Sequence, residues 1–283
     1  MSPAHGQHAT DYHPRHVVAA ECVLVELGQI LAPYREAVIV VGGSVPPLLF
    51  PKARPRHIGT IDVDLLLDPA KLTGFQYADL LELLEANGYR KTDSPFKFVR
   101  DVPVDAGQVV SVEVDFLVPK GVRRGKSGHF VKGFRAIEAD GARLALTSSE
   151  SRTLDGRMPS GMLNQVHISV PTIEAFVVMK AHALAGRLKE KDAYDIVFCL
   201  QHCRGGSVAV AVALRPHLAE AEVEQALAIL AEKFRSPDDY GPSCVARFED
   251  PADPGEKEFI ARDAYERVQA LLEALGREGE ASP

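Results

Sequence analysis

From Arg15 to Leu31 apolar residues recur at helical spacing (Val17, Val18, Cys22, Val25, Leu27, Ile30, Leu31) until Pro33 closes the segment. That rhythm predicts a helix laid over one face of a sheet. The next apolar run, Val38-Ile39-Val40-Val41, has the β-branched character of a strand buried on both faces, and it stops at Gly42-Gly43-Ser44. A strand therefore runs into a turn of small residues. Val45 to Phe50 predicts a short helix with prolines in its first turn, where a missing N–H does no harm. Ile61 to Leu67 predicts a second strand, and Leu72 to Asn87 an amphipathic helix ended by Gly88. Strand-like alternation resumes over 96–100 and again over Val109–Val118.

Beyond that point the pattern weakens. Residues 130–146 suggest one or two short strands around a hairpin turn at Ala139-Asp140-Gly141-Ala142, and Thr147 to Gly161, rich in Ser, Thr, Gly and Pro, suggests a connector. Val166 to Val170 can return a last strand. From Pro171 the chain turns helical, with further helix-length segments over 207–235 and 257–276 and a Pro- and Asp-rich loop from Ser236 to Gly255 between them. The sum is an α/β (α+β) fold: a mixed sheet flanked by helices in residues 15–170, then a helical C-terminal domain in 171–283. Residues 1–14, with Gly, Pro and three His but no periodicity, are expected to be a disordered leader.

Candidate chemistry sits on the strands. Asp62 and Asp64 are two apart, so on a strand they share a face, and two like charges that close are costly unless a divalent cation lies between them. Asp115, in Ser111-Val112-Glu113-Val114-Asp115-Phe116-Leu117-Val118, supplies a third carboxylate on a run that can pair beside the first. Glu113 shares its face and is equally placed as third ligand; Asp115 is preferred because Val114 and Phe116 set it deeper in the apolar run. A second set lies in the helical part. Lys180 stands among Val177-Val178-Met179 and Ala181, followed by Arg187, Lys191, Asp192 and Asp195, and one continuous helix would align 180, 184, 187, 191 and 195, with Gly186 as its weak point.

Composition changes this picture little. No apolar run approaches the roughly 20 residues that span a bilayer, and the polar, His-rich start lacks an apolar signal core, so a cytoplasmic protein with no membrane partner is expected. Four irregularly spaced cysteines, Cys22, Cys199, Cys203 and Cys244, imply free thiols; Cys199, His202 and Cys203 lack a second ligand pair for zinc. A net charge of −7 argues against a nucleic-acid partner, but its distribution softens that: Lys120, Arg123, Arg124, Lys126, Lys132 and Arg135 form an acid-free stretch, and Lys52, Arg54, Arg56 and His57 a second cluster.

The Gly42-Gly43-Ser44 turn, the Asp62/Asp64 strand and the later acid Asp115 resemble the pattern of the DNA polymerase β-type nucleotidyltransferase superfamily. The string Lys180…Arg187…Lys191-Asp192-x-x-Asp195 is similar to a helical motif of its AbiEii-type members, toxins of toxin–antitoxin pairs. The resemblance covers about residues 38–200. It implies transfer of a nucleotide from an NTP to an acceptor hydroxyl with release of pyrophosphate, using two Mg²⁺ ions (Mn²⁺ as a substitute) on Asp62, Asp64 and Asp115. Gly42, Gly43 and Ser44 would meet the phosphates, Lys180 the leaving pyrophosphate, and Arg187, Asp192 and Asp195 would orient the nucleotide. It also implies a tRNA or other RNA acceptor and a cognate antitoxin. A small-molecule (antibiotic-type) or protein nucleotidyltransferase is the alternative enzyme, and a nucleotide-binding module without turnover the alternative outside catalysis.

Overall fold

The computed structural model describes residues 8–72, 74–94, 97–104, 107–121, 136–187 and 189–276, with the side chains of 74 and 75 excepted. The basic residues Arg123, Arg124, Lys126, Lys132 and Arg135, and residues 1–7 of the expected leader, lie outside them. The chain divides into two compact units.

The first unit, Tyr12–Leu48 with Gly59–Thr172, is built on one mixed sheet. Its strands are β1 (Val38–Val41), β2 (Asp62–Leu67), β3 (Arg90–Lys91), β4 (Lys97–Pro103), β5 (Val109–Pro119), β6 (Ile137–Ala139), β7 (Ser149–Arg157) and β8 (Leu163–Pro171). They lie in the order β3-β4-β5-β2-β1-β8-β7, with β6 parallel to the far end of β5. Helix α1 (Pro14–Ile30) covers one face: Val40 and Leu65 stand against its Leu24, Leu27 and Leu31. Because side chains alternate along a strand, Asp62 and Asp64 point to the opposite face from Val63 and Leu65. The strand β1 is buried along its whole length, which explains its unbroken β-branched run. It ends in a 3₁₀ turn, Gly42–Ser44, leading into the short helix α2 (Val45–Leu49); α3 (Gly74–Ala86) follows β2.

Two expectations fail here. After Ala139 the chain does not fold back as a hairpin: Gly141, at φ 71°, opens α4 (Ala142–Thr147), whose Ala and Leu residues are good helix formers. Residues 149–157 are no connector but β7, a nine-residue edge strand paired antiparallel along β8. Its outer edge carries no partner strand among the described residues, and its side chains alternate between exposed and half-buried, so it needs no apolar face and reads as polar loop.

The second unit comprises residues up to Asp11, the segment Leu49–Ile58 and residues from Ile173 on. It holds α5 (Ile173–Gly186), α6 (Glu190–His202), α7 (Gly206–Leu214), α8 (Ala221–Lys233), α9 (Tyr240–Glu249) and α10 (Pro254–Gly276). His8 hydrogen-bonds the Arg247 carbonyl at 3.0 Å, next to a 3₁₀ turn at Ala9–Asp11. The expected loop 236–255 contains α9, whose Gly241 and Pro242 lie in its first turn, where both are tolerated. The helix expected to run continuously from 180 to 195 breaks after Gly186, so Lys180 and Asp195 meet across packed helices rather than along one stripe. All four cysteines are free, and no single helix among the described residues is long and apolar enough to cross a membrane.

Candidate functional site

In the sheet unit, β2 pairs in parallel with β5, and the register sets Asp64 directly beside Asp115 and Asp62 beside Glu113. Directly paired residues share a face, as do residues two apart on a strand, so the four carboxylates stand on alternate rungs of one face, the face away from α1. The Gly42–Ser44 turn adjoins them: Val41, the last residue of β1, pairs with Asp64. Gly42 has φ 69°, and a Cβ there would lie 1.9 Å from Asp64 Oδ2. Only glycine fits both constraints. Ser44 is buried, and Gly43 is buried beside it.

Two neighbours engage these acids. The Thr60 hydroxyl donates to Asp62 Oδ1. Lys97, which opens β4 opposite Asp115, bonds Glu113 Oε2 and lies 3.9 Å from Asp115 Oδ2. Burial works against the Lys97 ammonium, yet the Glu113 hydrogen bond and the charges of Asp115, Glu113 and Asp62 outweigh it and raise its pKa. The ammonium thus senses Glu113, Asp115 and Asp62 together. An all-carboxylate donor set suits a hard divalent cation such as Mg²⁺. As the side chains stand, no group of three or more His, Cys, Asp or Glu among the described residues is arranged to hold a metal ion.

The helical unit contains the other predicted residues. Lys180 Nζ lies 2.8 Å from Asp192 Oδ1 and 2.6 Å from Asp195 Oδ2. Arg187 forks onto Asp192 at 2.8 and 3.0 Å, while Lys191 Nζ lies 2.7 Å from Asp195 Oδ1. His57 Nε2, from the Leu49–Ile58 segment, is 2.9 Å from the same oxygen. All of these are buried except Arg187, whose side chain is 54% exposed. Burial opposes each charge, but Lys180 and Lys191 hold Asp195 well below the usual carboxylate range, and Lys180 and Arg187 lower Asp192. Lys180, also opposed by burial, is raised because two carboxylates face it; Lys191 is lowered by burial and by the Lys180 charge, against the pull of Asp195.

Neither a protein-family model nor a curated protein matches the chain. Among solved structures it is similar to the crystal structure of an antigenic nucleotidyltransferase-like protein from Paracoccidioides brasiliensis. The two are 18% identical, with a TM-score of 0.48, over 82% of this chain and 94% of that one.

Thr60, Lys97 and His57 join these clusters without having been picked out as site residues, and Lys191, part of the helical motif, had been given no role of its own. Lys97 left a signal in the sequence: in the alternation that places Phe98 in the core, a lone Lys must face the other way, toward Asp115. His57 belongs to no basic patch. Lys52, Arg54 and Arg56 are exposed, whereas the His57 side chain is enclosed against Phe198 and Tyr194.

Burial and the Lys191 charge push the His57 pKa down to about 4, against the pull of Asp195. It is therefore neutral at pH 7 and donates from Nε2 to Asp195. The unfolded chain takes up a proton at this residue from about pH 6.5 downward, whereas the folded chain does so only near pH 4. Stability is thus fully present above pH 6.5 and falls toward pH 4, by up to about 3 kcal/mol from this residue. His57→Gln keeps an N–H donor and cannot titrate, so chemical denaturation should give a shallower loss across that window. An unchanged pH slope would remove His57 as its source.

Proposed function

We propose that this protein is a metal-dependent nucleotidyltransferase moving NMP from an NTP to an acceptor hydroxyl. The observation that carries the reading is the parallel register of β2 on β5, which sets Asp64 beside Asp115 next to the Gly42 turn that the Asp64 carboxylate closes over. Asp62, Asp64 and Asp115 would hold two Mg²⁺ ions, with Mn²⁺ as a substitute. Such ions neutralise the triphosphate and lower the pKa of an attacking hydroxyl. The chain's own contribution is mostly positioning. Gly42 and Gly43 leave backbone N–H groups open to close approach by phosphate oxygens, and the Ser44 hydroxyl adds a donor.

In the helical unit, Lys180 and Asp192 form the frame on which the Arg187 guanidinium is fixed, half out in solvent. We assign that guanidinium to the nucleotide, with Lys180, Asp192 and Asp195 as the residues that position it. The AbiEii-type reading adds a cognate antitoxin as partner. It also favours an RNA acceptor such as a tRNA end, which the acid-free basic stretch from Lys120 to Arg135 supports by sequence.

The test is incubation with each labelled NTP, Mg²⁺ and total RNA. Label should pass to RNA, and apparent affinity should fall steeply with added salt. A joint Arg123→Ala, Arg124→Ala, Lys126→Ala variant, losing up to three phosphate contacts, should flatten the log–log salt slope by about 2 to 3. Label on protein alone, or on a small molecule, would move the acceptor to that class. Absence of transfer to any acceptor would favour a binding module.

A further inference from the structure

The acidic face combines four carboxylates on alternate rungs with one ammonium from the neighbouring strand. That ammonium is well placed to be more than a cross-strand ion pair. Lys97 stands opposite Asp115 in the register, yet it reaches diagonally to Glu113 while keeping Asp115 at 3.9 Å. Its side chain is 18% exposed, with Glu113 at 16% and Asp115 at 13%, so water screens the cluster weakly.

We propose that Lys97 is the resident counter-ion of the carboxylate face: it holds Glu113 apart as a partner of its own and competes with a divalent cation for Asp115. The proposal rests on the metal reading above. It accounts for the donor set being chemically right while, among the described residues, no three acids are arranged to hold a metal ion. In the metal-free protein the ammonium offsets the repulsion among the acids. On metal binding, the Lys97 ammonium withdraws from Asp115 and remains with Glu113. Lys97 is thereby a positioning residue that sets how tightly the metal is held.

Mn²⁺ titration of the full-length protein, followed by the electron paramagnetic resonance signal of free Mn²⁺, tests this alongside thermal melting with EDTA or with excess Mn²⁺. Lys97→Met, which keeps the stem and removes the charge, should bind Mn²⁺ about tenfold or more tightly than wild type. It should melt lower than wild type in EDTA and regain the difference in Mn²⁺. Lys97→Arg, which keeps the charge, should bind Mn²⁺ near the wild-type level. Equal Mn²⁺ affinity in Lys97→Met and wild type, with the same loss of melting temperature in both conditions, would reduce Lys97 to an ordinary ion pair and leave the metal reading standing. No Mn²⁺ binding by either wild type or Lys97→Met, or binding by Asp64→Asn as tight as by wild type, would overturn the metal reading and this proposal with it.

Discussion

Asp64→Asn is expected to reduce nucleotidyl transfer by about a thousandfold or more while the protein still folds. The substitution conserves volume and leaves the β1–β2–β5 rungs untouched, because those are made by backbone groups. What it removes is half of a carboxylate charge pair, on the residue that touches both the turn and the neighbouring acid. Asp64 pairs with Val41 on one side and Asp115 on the other, and its carboxylate lies against Gly42. A mild loss, below about tenfold, would mean that the acid pair is decorative. The same assay settles the choice of third acid. Asp115 faces Asp64, whereas Glu113 faces Asp62 and is held by Lys97, so Asp115→Asn should be as severe as Asp64→Asn and Glu113→Gln mild. The reverse order would assign the third position to Glu113. Circular dichroism and melting curves matching wild type keep the result attributable to chemistry.

The elements that lead to this prediction were legible for a physical reason. Val38–Val41 and Leu65–Leu67 are buried, and strands buried on both faces must be written in apolar residues. The two charges interrupting β2 therefore stood out. That the Asp115 run could pair beside β2 was legible; the register that sets Asp64 against Asp115 rather than against Glu113 was not, because a parallel register between strands about fifty residues apart is set by tertiary packing and leaves no local pattern. Edge strand β7 was hidden for the converse reason: with its side chains half-buried at most, nothing forces apolar alternation on it. In the helical unit, charge spacing suggested one continuous stripe, whereas Gly186 ends α5 and the motif closes on itself across two helices. Spacing reported that Lys180, Arg187, Lys191, Asp192 and Asp195 interact. It did not report that Lys180 spends its donors on Asp192 and Asp195, nor that His57 arrives from a distant segment to share Asp195.

Asp195→Asn is expected to cost about 3–5 kcal/mol of stability, the range for breaking a buried ion pair from one side. Asp195 has no exposed side-chain surface, and three groups converge on it: Lys180 at 2.6 Å, Lys191 at 2.7 Å and His57 at 2.9 Å. With its charge gone, Lys191 loses the carboxylate it bonds, and Lys180 is left with Asp192, which Arg187 already engages through two hydrogen bonds. Lys191, which bonds Asp195 at 2.7 Å, is the group in the network whose pKa burial already lowers. It is therefore expected to discharge first, so that the deficit of the variant shrinks as pH rises. Asp192→Asn should cost less at neutral pH, since Arg187, with about half its side chain in solvent, can be rehydrated while Lys180 keeps Asp195. Urea denaturation of the two variants at pH 7 and pH 9 measures both statements. Equal losses for Asp192→Asn and Asp195→Asn, or a deficit for Asp195→Asn that does not change with pH, would show that the network tolerates an unpaired charge and that Lys191 is not its most strained member.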